Sequence, residues 1–318
     1  MPLHSGASSG GQLEEKVDLT AETTQKIEQA QGLVSTSSSN LSSALALLLA
    51  NEKKCRVGND TPSLVKTVEA SLQLCKDCTD DEALISTLKT LSTRRSQKSK
   101  AITALVHKAI PWVLKELDGF TPLEIEIGSK EQKEIREKLI VTLRDITDGK
   151  LFLEAERARL TRALAIIKEE DGEISEAAEV LQEVHVETYG SLSKREKVEF
   201  ILEQIRLTLA KKDYIRAAIV ANKINQKVLA EEGMEDEKVT YFTQMLDYHQ
   251  HEKDAFQLAK DYHHIYSTIT IQEDETKWRE ALMNSLAFLI LSPYSSEQQD
   301  MMNRINLDPK LEKIPSCK

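Results

Sequence analysis

Glycine, proline and aromatic residues are all scarce in this sequence. Its 318 residues include only 11 glycines and seven prolines, and aromatic side chains make up 5% of the chain. Sheet-based folds need frequent turns and a supply of β-branched or aromatic side chains, so this composition argues against them. Long stretches are filled instead by leucine, alanine, glutamate, lysine and glutamine, which favours long helices.

Cysteines and long apolar runs are scarce as well. The four cysteines are irregularly placed and follow no cleavable apolar leader, which is typical of proteins in a reducing compartment, so we expect the cytoplasm and nucleus. The longest apolar runs, 44–50 and 286–291, are far shorter than the roughly 20 residues that a membrane span requires, so no membrane partner is expected. Residues 1–12 are rich in serine and glycine and are interpreted as a flexible start rather than a targeting peptide.

Acidic residues outnumber basic ones by 52 to 42, which gives a formal net charge of −10. Most of such a surface repels a polyanion, so nucleic acid is not expected as a partner. One basic cluster stands out against this background, and Arg94, Arg95 and Lys98 are its candidate partner-binding residues. The alternative is an ordinary solvated helix start.

Helical periodicity is clear where apolar residues recur at spacings of three and four, as in the segment 194–210. Capping boxes are predicted at Ser193 with Glu196 and at Thr79 with Glu82, and Thr61 before Pro62 is a further predicted helix start. The predicted helix stops are Gly119, Gly149, Gly172, Gly190 and Gly233. The resulting helices are 13–33, 38–56, 62–78, 80–92, 97–117, 130–147, 151–170, 173–187, 194–211, 213–230, 234–250, 253–268, 274–291 and 296–306.

An internal repeat is visible in the second half of the chain. Residues 174–181 (ISEAAEVL) align with residues 214–221 (YIRAAIVA), and residues 212–218 (KDYIRAA) align with residues 253–259 (KDAFQLA). A single helix pair cannot bury both of its faces, so repeated pairs stack on one another. The predicted fold is therefore an all-α, right-handed α-solenoid of stacked antiparallel helix pairs, similar to tetratricopeptide arrays.

The domain prediction divides the chain at residues 123–127 (LEIEI). These residues alternate apolar and acidic side chains like a strand, but they lie between two glycines, and we interpret them as an extended connector. The predicted organisation is a flexible N-terminus at 1–12, an N-terminal helical segment at 13–118, a connector at 119–129 and a helical-repeat solenoid at 130–314.

No motif predicts a catalytic, cofactor-binding or metal site, and the chain is not expected to be an enzyme. Cys75 and Cys78 have the spacing of half a zinc site or of a redox pair, but no second half exists. His251 and Glu252 begin like a metalloprotease motif, which fails because position 255 is alanine. A metal-dependent helical enzyme using the region from His249 to His264 is kept as a remote alternative, and no phosphate loop or nucleophile elbow is present.

Several segments closely resemble the family of the 26S proteasome non-ATPase regulatory subunit 12. They are 91–97 (LSTRRSQ), 156–162 (ERARLTR), 186–190 (VETYG), 197–206 (KVEFILEQIR), 212–216 (KDYIR), Lys277 with Trp278, and 311–315 (LEKIP). The resemblance covers nearly everything from about residue 80 onward and is weaker before it.

This resemblance implies a non-catalytic scaffold of the lid of the proteasome regulatory particle, which serves ubiquitin-dependent protein degradation. The partners that it implies are other lid subunits, the ATPase ring, the core particle and the deubiquitinating subunit. The family continues into a winged-helix PCI domain beyond the point that corresponds to Lys318, so we expect this chain to be an N-terminal part without that domain. The related scaffold of the COP9 signalosome is the alternative within the same class.

Overall fold

The computed structural model describes residues 18–37, 40–115 and 130–314, with the backbone alone at 130 and 131. Across these ranges the chain forms sixteen α-helices and no strand. The helices are α1 (Thr20–Thr36), α2 (Leu41–Val57), α3 (Thr61–Asp77), α4 (Asp81–Ser92), α5 (Ser99–Ala109), α6 (Lys130–Thr147), α7 (Glu154–Glu170), α8 (Ile174–Gln182), α9 (Lys194–Ala210), α10 (Tyr214–Ala221), α11 (Gln226–Leu229), α12 (Glu235–Glu252), α13 (Ala255–Tyr266), α14 (Ile269–Gln272), α15 (Glu275–Leu291) and α16 (Ser296–Asn306).

Three of the long predicted helices are interrupted. The predicted helix 173–187 ends as an α-helix at Gln182, and a separate 3₁₀ turn, Val186–Thr188, follows it. The predicted helix 97–117 ends as an α-helix at Ala109 and continues as a 3₁₀ turn, Ile110–Trp112, because Pro111 has no amide hydrogen to donate to the preceding turn. The predicted helix 213–230 is divided into α10 and α11, since the side chain of Asn225 accepts a hydrogen bond from the Lys227 amide and starts a new helix. The predicted connector 119–129 lies outside the described residues.

Five of the helix junctions share one tight geometry. In each, a residue in the left-handed conformation is followed directly by an acidic residue, whose backbone N–H donates to the carbonyl five positions earlier. This bond is the longer of the two that define a Schellman motif. The junctions are Asn59-Asp60, Thr79-Asp80, Gly172-Glu173, Lys212-Asp213 and Lys253-Asp254.

These junctions correct two of the predicted helix starts. The side chain that caps α3 is Asp60, which accepts from the Ser63 amide, and Thr61 is already inside the helix. Likewise Asp80 caps α4 by accepting from the Ala83 amide, while Thr79 has a φ of 53° and lies before the helix. The Schellman turn places Asp60 and Asp80 directly at the N-cap position, from which a carboxylate accepts from the free amides of the first turn. The third prediction is confirmed, since Ser193 and Glu196 form a reciprocal capping box.

The predicted glycine stops have mixed outcomes. Gly149, Gly172 and Gly233 adopt positive φ values of 66°, 81° and 88°, as the prediction requires. Gly190 does not adopt a positive φ, and Gly119 lies outside the described residues. Glycine alone therefore does not identify every helix end, because threonine and lysine fill the same left-handed position at other junctions.

Thr79 is strained at its junction, since a β-branched residue at positive φ brings its side chain close to the backbone. We expect Thr79→Gly to raise the free energy of unfolding by about 0.5–1 kcal/mol. This gain is the conformational energy that threonine loses at positive φ, minus the extra entropy that glycine loses on folding. Urea denaturation followed by circular dichroism measures this change. Thr93→Gly is the matched control, because Thr93 lies at the other end of α4 with a φ of −95° and should gain nothing. If Thr79→Gly and Thr93→Gly changed the free energy of unfolding equally, the interpretation that Thr79 is strained would be wrong.

The chain divides into two compact units, Met1–Ala163 and Leu164–Lys318. In the first unit, α1 packs on α2 and α3, α3 packs on α4 and α5, and α4 packs on α6. The core is leucine-rich and includes the fully buried Leu48, Leu64, Leu72, Leu88, Leu105 and Leu143. The buried Asn51 ties three helices together, because its Nδ2 donates to Thr23 Oγ1 on α1 and Thr67 Oγ1 on α3.

The second unit contains the predicted repeat. The helices α8, α10 and α13 each begin directly after one of the shared junctions, so the sequence alignment at offsets of 40 and 41 residues is also the structural register. Ion pairs connect side chains about one repeat apart: Arg206 to Glu169, Lys194 to Glu231, and Lys260 to Glu297. The all-α class of stacked helix pairs is therefore confirmed, whereas its right-handed course and the division at 119–129 stay predictions.

Candidate partner-binding site

The basic cluster of the sequence forms a turn between α4 and α5. The Gln97 amide donates to the Arg94 carbonyl across 3.2 Å, which closes a four-residue turn, and Ser96 within it has a φ of 61°. Lys98 is the N-cap residue, directly before α5. We name the segment Arg94–Lys98 the basic turn.

A buried carboxylate holds the basic turn in place from α2. Glu52 is only 1% exposed, and its Oε1 accepts from Arg56 Nε at 2.9 Å and from Gln97 Nε2 at 3.2 Å. Arg56 Nη1 in turn donates to the Arg95 carbonyl at 2.7 Å, and Gln97 Nε2 also donates to the Leu91 carbonyl. The Arg95 carbonyl and the Gln97 side chain of the turn are thus held by hydrogen bonds to α2 and to the end of α4.

Glu52 is satisfied on one side only. Its second oxygen, Oε2, is buried without a hydrogen-bond partner, although the neighbouring Oε1 accepts two bonds. A carboxylate in such a place is retained at a cost, since burial of a charge is compensated only through its partners. The buried carboxylate in return holds Arg56 and Gln97, and these two residues keep the turn in place.

The three predicted binding residues lie together on this turn with their charges unpaired. Arg95 is exposed, and Arg94 and Lys98 are half-buried. Within the part of the chain that the structure describes, none of the three forms an ion pair. Val57 follows Arg56 at the end of α2 and is 75% exposed, so an apolar side chain lies near the anchored base of the turn. Unpaired cations on a turn whose backbone is held in place suit an acidic protein surface.

Sequence reasoning missed the residues that anchor the turn. Glu52 and Arg56 lie about 40 residues before it and look like an ordinary helical ion pair at i and i+4. The one local signal was the apolar run 44–50 before Glu52. An acidic residue so close to a run suited to burial indicates that its carboxylate is buried as well.

The histidine-rich region that suggested a metal site has other contacts. His249 Nδ1 lies 2.6 Å from Asp261 Oδ2, and burial raises the pKa of that carboxyl group. His251 stacks on Tyr214, and His264 stacks on Phe242. Among the residues that the structure describes, no group of three or more histidine, cysteine, aspartate or glutamate side chains could hold a metal ion.

The cysteine pair is divided between core and surface. Cys75 is fully buried in α3, and burial raises the pKa of its thiol to about 11, so it stays protonated near neutral pH. Cys78 is half-buried where α3 ends, and burial also raises its pKa. Both thiols are free. No helix among the described residues has the length and apolarity that crossing a membrane would need.

The sequence matches a known family over most of its length. The family model described as PSMD12/CSN4, N-terminal, matches residues 43–274. The chain belongs to this family. The basic turn lies inside the matched region, as do α2 through α14 apart from the first two residues of α2.

Curated relatives of the chain are named as proteasome subunits. The 26S proteasome non-ATPase regulatory subunit 12 of Dictyostelium discoideum is 38% identical over 268 residues, which are 84% of this chain and 57% of that protein. The 26S proteasome regulatory subunit rpn501 of Schizosaccharomyces pombe is 38% identical over 85% of this chain and 58% of its own. RPN5 of Saccharomyces cerevisiae is 33% identical over 91% and 62%. The chain therefore spans about three fifths of the length of these relatives.

Proposed function

We propose that this chain is a non-catalytic scaffold arm in the lid of the 26S proteasome regulatory particle. The observation that carries the proposal is family membership together with relatives that are named as proteasome regulatory subunits. The helical repeats support it, because stacked pairs offer long surfaces for other proteins. The partners would be lid subunits, the ATPase ring, the core particle and the deubiquitinating subunit, in the cytoplasm and nucleus.

The basic turn is proposed as one contact of this scaffold. Its backbone is already held by Arg56, which is itself paired with Glu52, so ordering the turn costs little conformational entropy when an acidic partner surface binds. The rest of the chain is acidic overall, which makes the turn the part of the first unit that favours an acidic protein.

A charge-reversal experiment tests both statements. Tagged chain is mixed with purified lid subunits at about physiological ionic strength, and the fraction bound is measured by quantitative pull-down. We expect wild-type chain to bind and Arg94→Glu/Arg95→Glu/Lys98→Glu to bind at least about tenfold more weakly, with a smaller salt dependence. The control reverses Lys26, Lys53 and Lys66, which also lack ion pairs among the residues that the structure describes, and should change binding less than about threefold.

The outcomes separate the scaffold role from the contact. Failure of the wild-type chain to bind any lid subunit would contradict the proposed function. Equal loss in the two reversed variants would leave the scaffold role in place and remove the specific role of the turn. Because the family description pairs PSMD12 with CSN4, COP9 signalosome subunits are tested in parallel, and binding to these alone would favour the alternative scaffold.

A further inference from the structure

The outward face of α10 exposes two isoleucines. Ile215 is 80% exposed and Ile219 is 60% exposed. They lie four residues apart, so both point to the same side of the helix. The opposite side of α10 is buried through Ala217, Val220 and Ala221. The helix therefore has an inner face that is already packed and an outer face that is apolar without being covered.

The repeat supplies an internal comparison for these positions. In the same register, α8 has Ser175 and Glu179, and both are exposed. In α13 the same register has Phe256 and Lys260, whose Nζ lies 4.2 Å from the phenyl ring and covers it. The fold thus accepts polar residues at both positions, so packing within the chain does not require Ile215 and Ile219.

Basic side chains flank the two isoleucines. Lys212 is exposed just before α10 and forms no ion pair in the part of the chain that the structure describes. Arg216 lies on the outer face too, where its Nη1 donates to Gln182 Oε1 and its Nε lies 3.8 Å from Asp213 Oδ2. The nearby acidic Glu179 is engaged by Lys211 at 2.8 Å. The charged groups beside the isoleucines are thus three basic and two acidic, which leaves a small excess of positive charge with Lys212 unpaired among the described residues.

We propose that Lys212, Ile215, Arg216 and Ile219, named the α10 face, bind a helix of another protein. That helix carries apolar residues at i and i+4, which pack against the two isoleucines, and aspartate or glutamate residues that pair with Lys212 and Arg216. A straight ridge of side chains on one helix fits the groove of another, and the apolar anchors supply most of the affinity. The inference rests on the proposed scaffold role for the identity of the partner protein, but the contact has its own test.

The test uses the full chain and defined peptides. A fluorescent helical peptide of about 20 residues is designed with leucine at i and i+4 and glutamate alongside, and a second peptide has lysine in place of each glutamate. Fluorescence anisotropy should show that the acidic peptide binds at least about tenfold more tightly than the basic one. Raising the salt concentration should reduce this difference.

Variants copied from the neighbouring repeat locate the contact. Ile215→Ser/Ile219→Glu introduces the residues that α8 has in the same register, so the chain should keep its circular dichroism spectrum while binding the acidic peptide at least about tenfold more weakly. Ile269→Ser/Ile290→Glu is the matched control, because these isoleucines are 64% and 65% exposed elsewhere in the unit. The control variant should bind like wild type.

Four results would overturn the inference. They are absence of peptide binding, equal binding of the two peptides, equal loss in both variants, and a different occupant of the face. If sedimentation showed a dimer that Ile215→Ser/Ile219→Glu abolishes, the face would bind a second copy of this chain. If the same change abolished binding to phosphatidylserine vesicles, the face would bind a lipid surface. Loss of peptide specificity in a chain that still binds lid subunits would contradict this inference and leave the proposed function intact.

Discussion

Glu52→Ala is expected to lower the free energy of unfolding of the first unit by about 3–5 kcal/mol. The change leaves the Arg56 guanidinium partly buried without its carboxylate and removes the acceptor of Gln97. It also opens a space beneath the basic turn. The measurement is urea denaturation followed by Trp112 fluorescence in a Trp278→Phe background, because each unit contains one of the two tryptophans.

Two further variants separate the charge from the lost volume. Glu28→Ala is the control, since Glu28 is exposed on α1 and should change stability by less than about 0.5 kcal/mol. Glu52→Leu/Arg56→Leu removes both charges together and should be less destabilised than Glu52→Ala, because no unpaired charge remains. If the double variant were the less stable of the two, the account of Glu52 as a buried charge that depends on Arg56 would be wrong.

Gln204→Ala is expected to lower the stability of the second unit by about 2–4 kcal/mol, the sum of two lost hydrogen bonds and a stranded buried carbonyl. Gln204 lies on α9 and is buried, and its Nε2 donates to the Leu181 carbonyl at 2.7 Å and to the Val184 carbonyl at 3.1 Å. The Leu181 carbonyl lies in the last turn of α8 and the Val184 carbonyl lies just beyond its end at Gln182, so a side chain of α9 caps the C-terminus of α8.

The same denaturation experiment, with Trp278 as the reporter in a Trp112→Phe background, measures the effect. Gln299→Ala is the control, because Gln299 is exposed on α16 and its Nε2 donates to Asn303 Oδ1 on the same helix. A midpoint for Gln204→Ala equal to that of the control would show that water replaces the side chain at the α8 terminus. A large shift in the Gln204 variant alone confirms the inter-helix cap.

The helices and their repeat were predictable because they depend on local patterns. The apolar spacing and the capping box of Ser193 with Glu196 reflect interactions within a few residues. The repeat follows from the same local patterns, which recur when 174–181 is aligned with 214–221. These predictions agree with the structure. The errors at Thr61 and Thr79 are also local, because a Schellman turn and an acidic cap share adjacent residues and shift the start of the helix by one position.

The candidate sites were less predictable because they depend on contacts between distant residues. The sequence identifies the cations of the basic turn, but the pairing of Glu52 with Gln97 joins residues 45 positions apart. Similarly, Ile215 and Ile219 fit an ordinary buried stripe in the sequence, and only the packing of α10 shows which side is inward. A helical pattern gives the faces of a helix without saying how many of them the fold covers.

The tight helix junctions also bear on how the chain folds. Because each junction returns the backbone within a few residues, most helices pack on partners that are near in sequence, and the contact order is low. Proteins built in this way gain structure one repeat at a time, with neighbouring repeats stabilising each other at their shared boundary. A nascent chain of this kind can order its early repeats before the later ones have left the ribosome, so fewer apolar faces are exposed at once to aggregation.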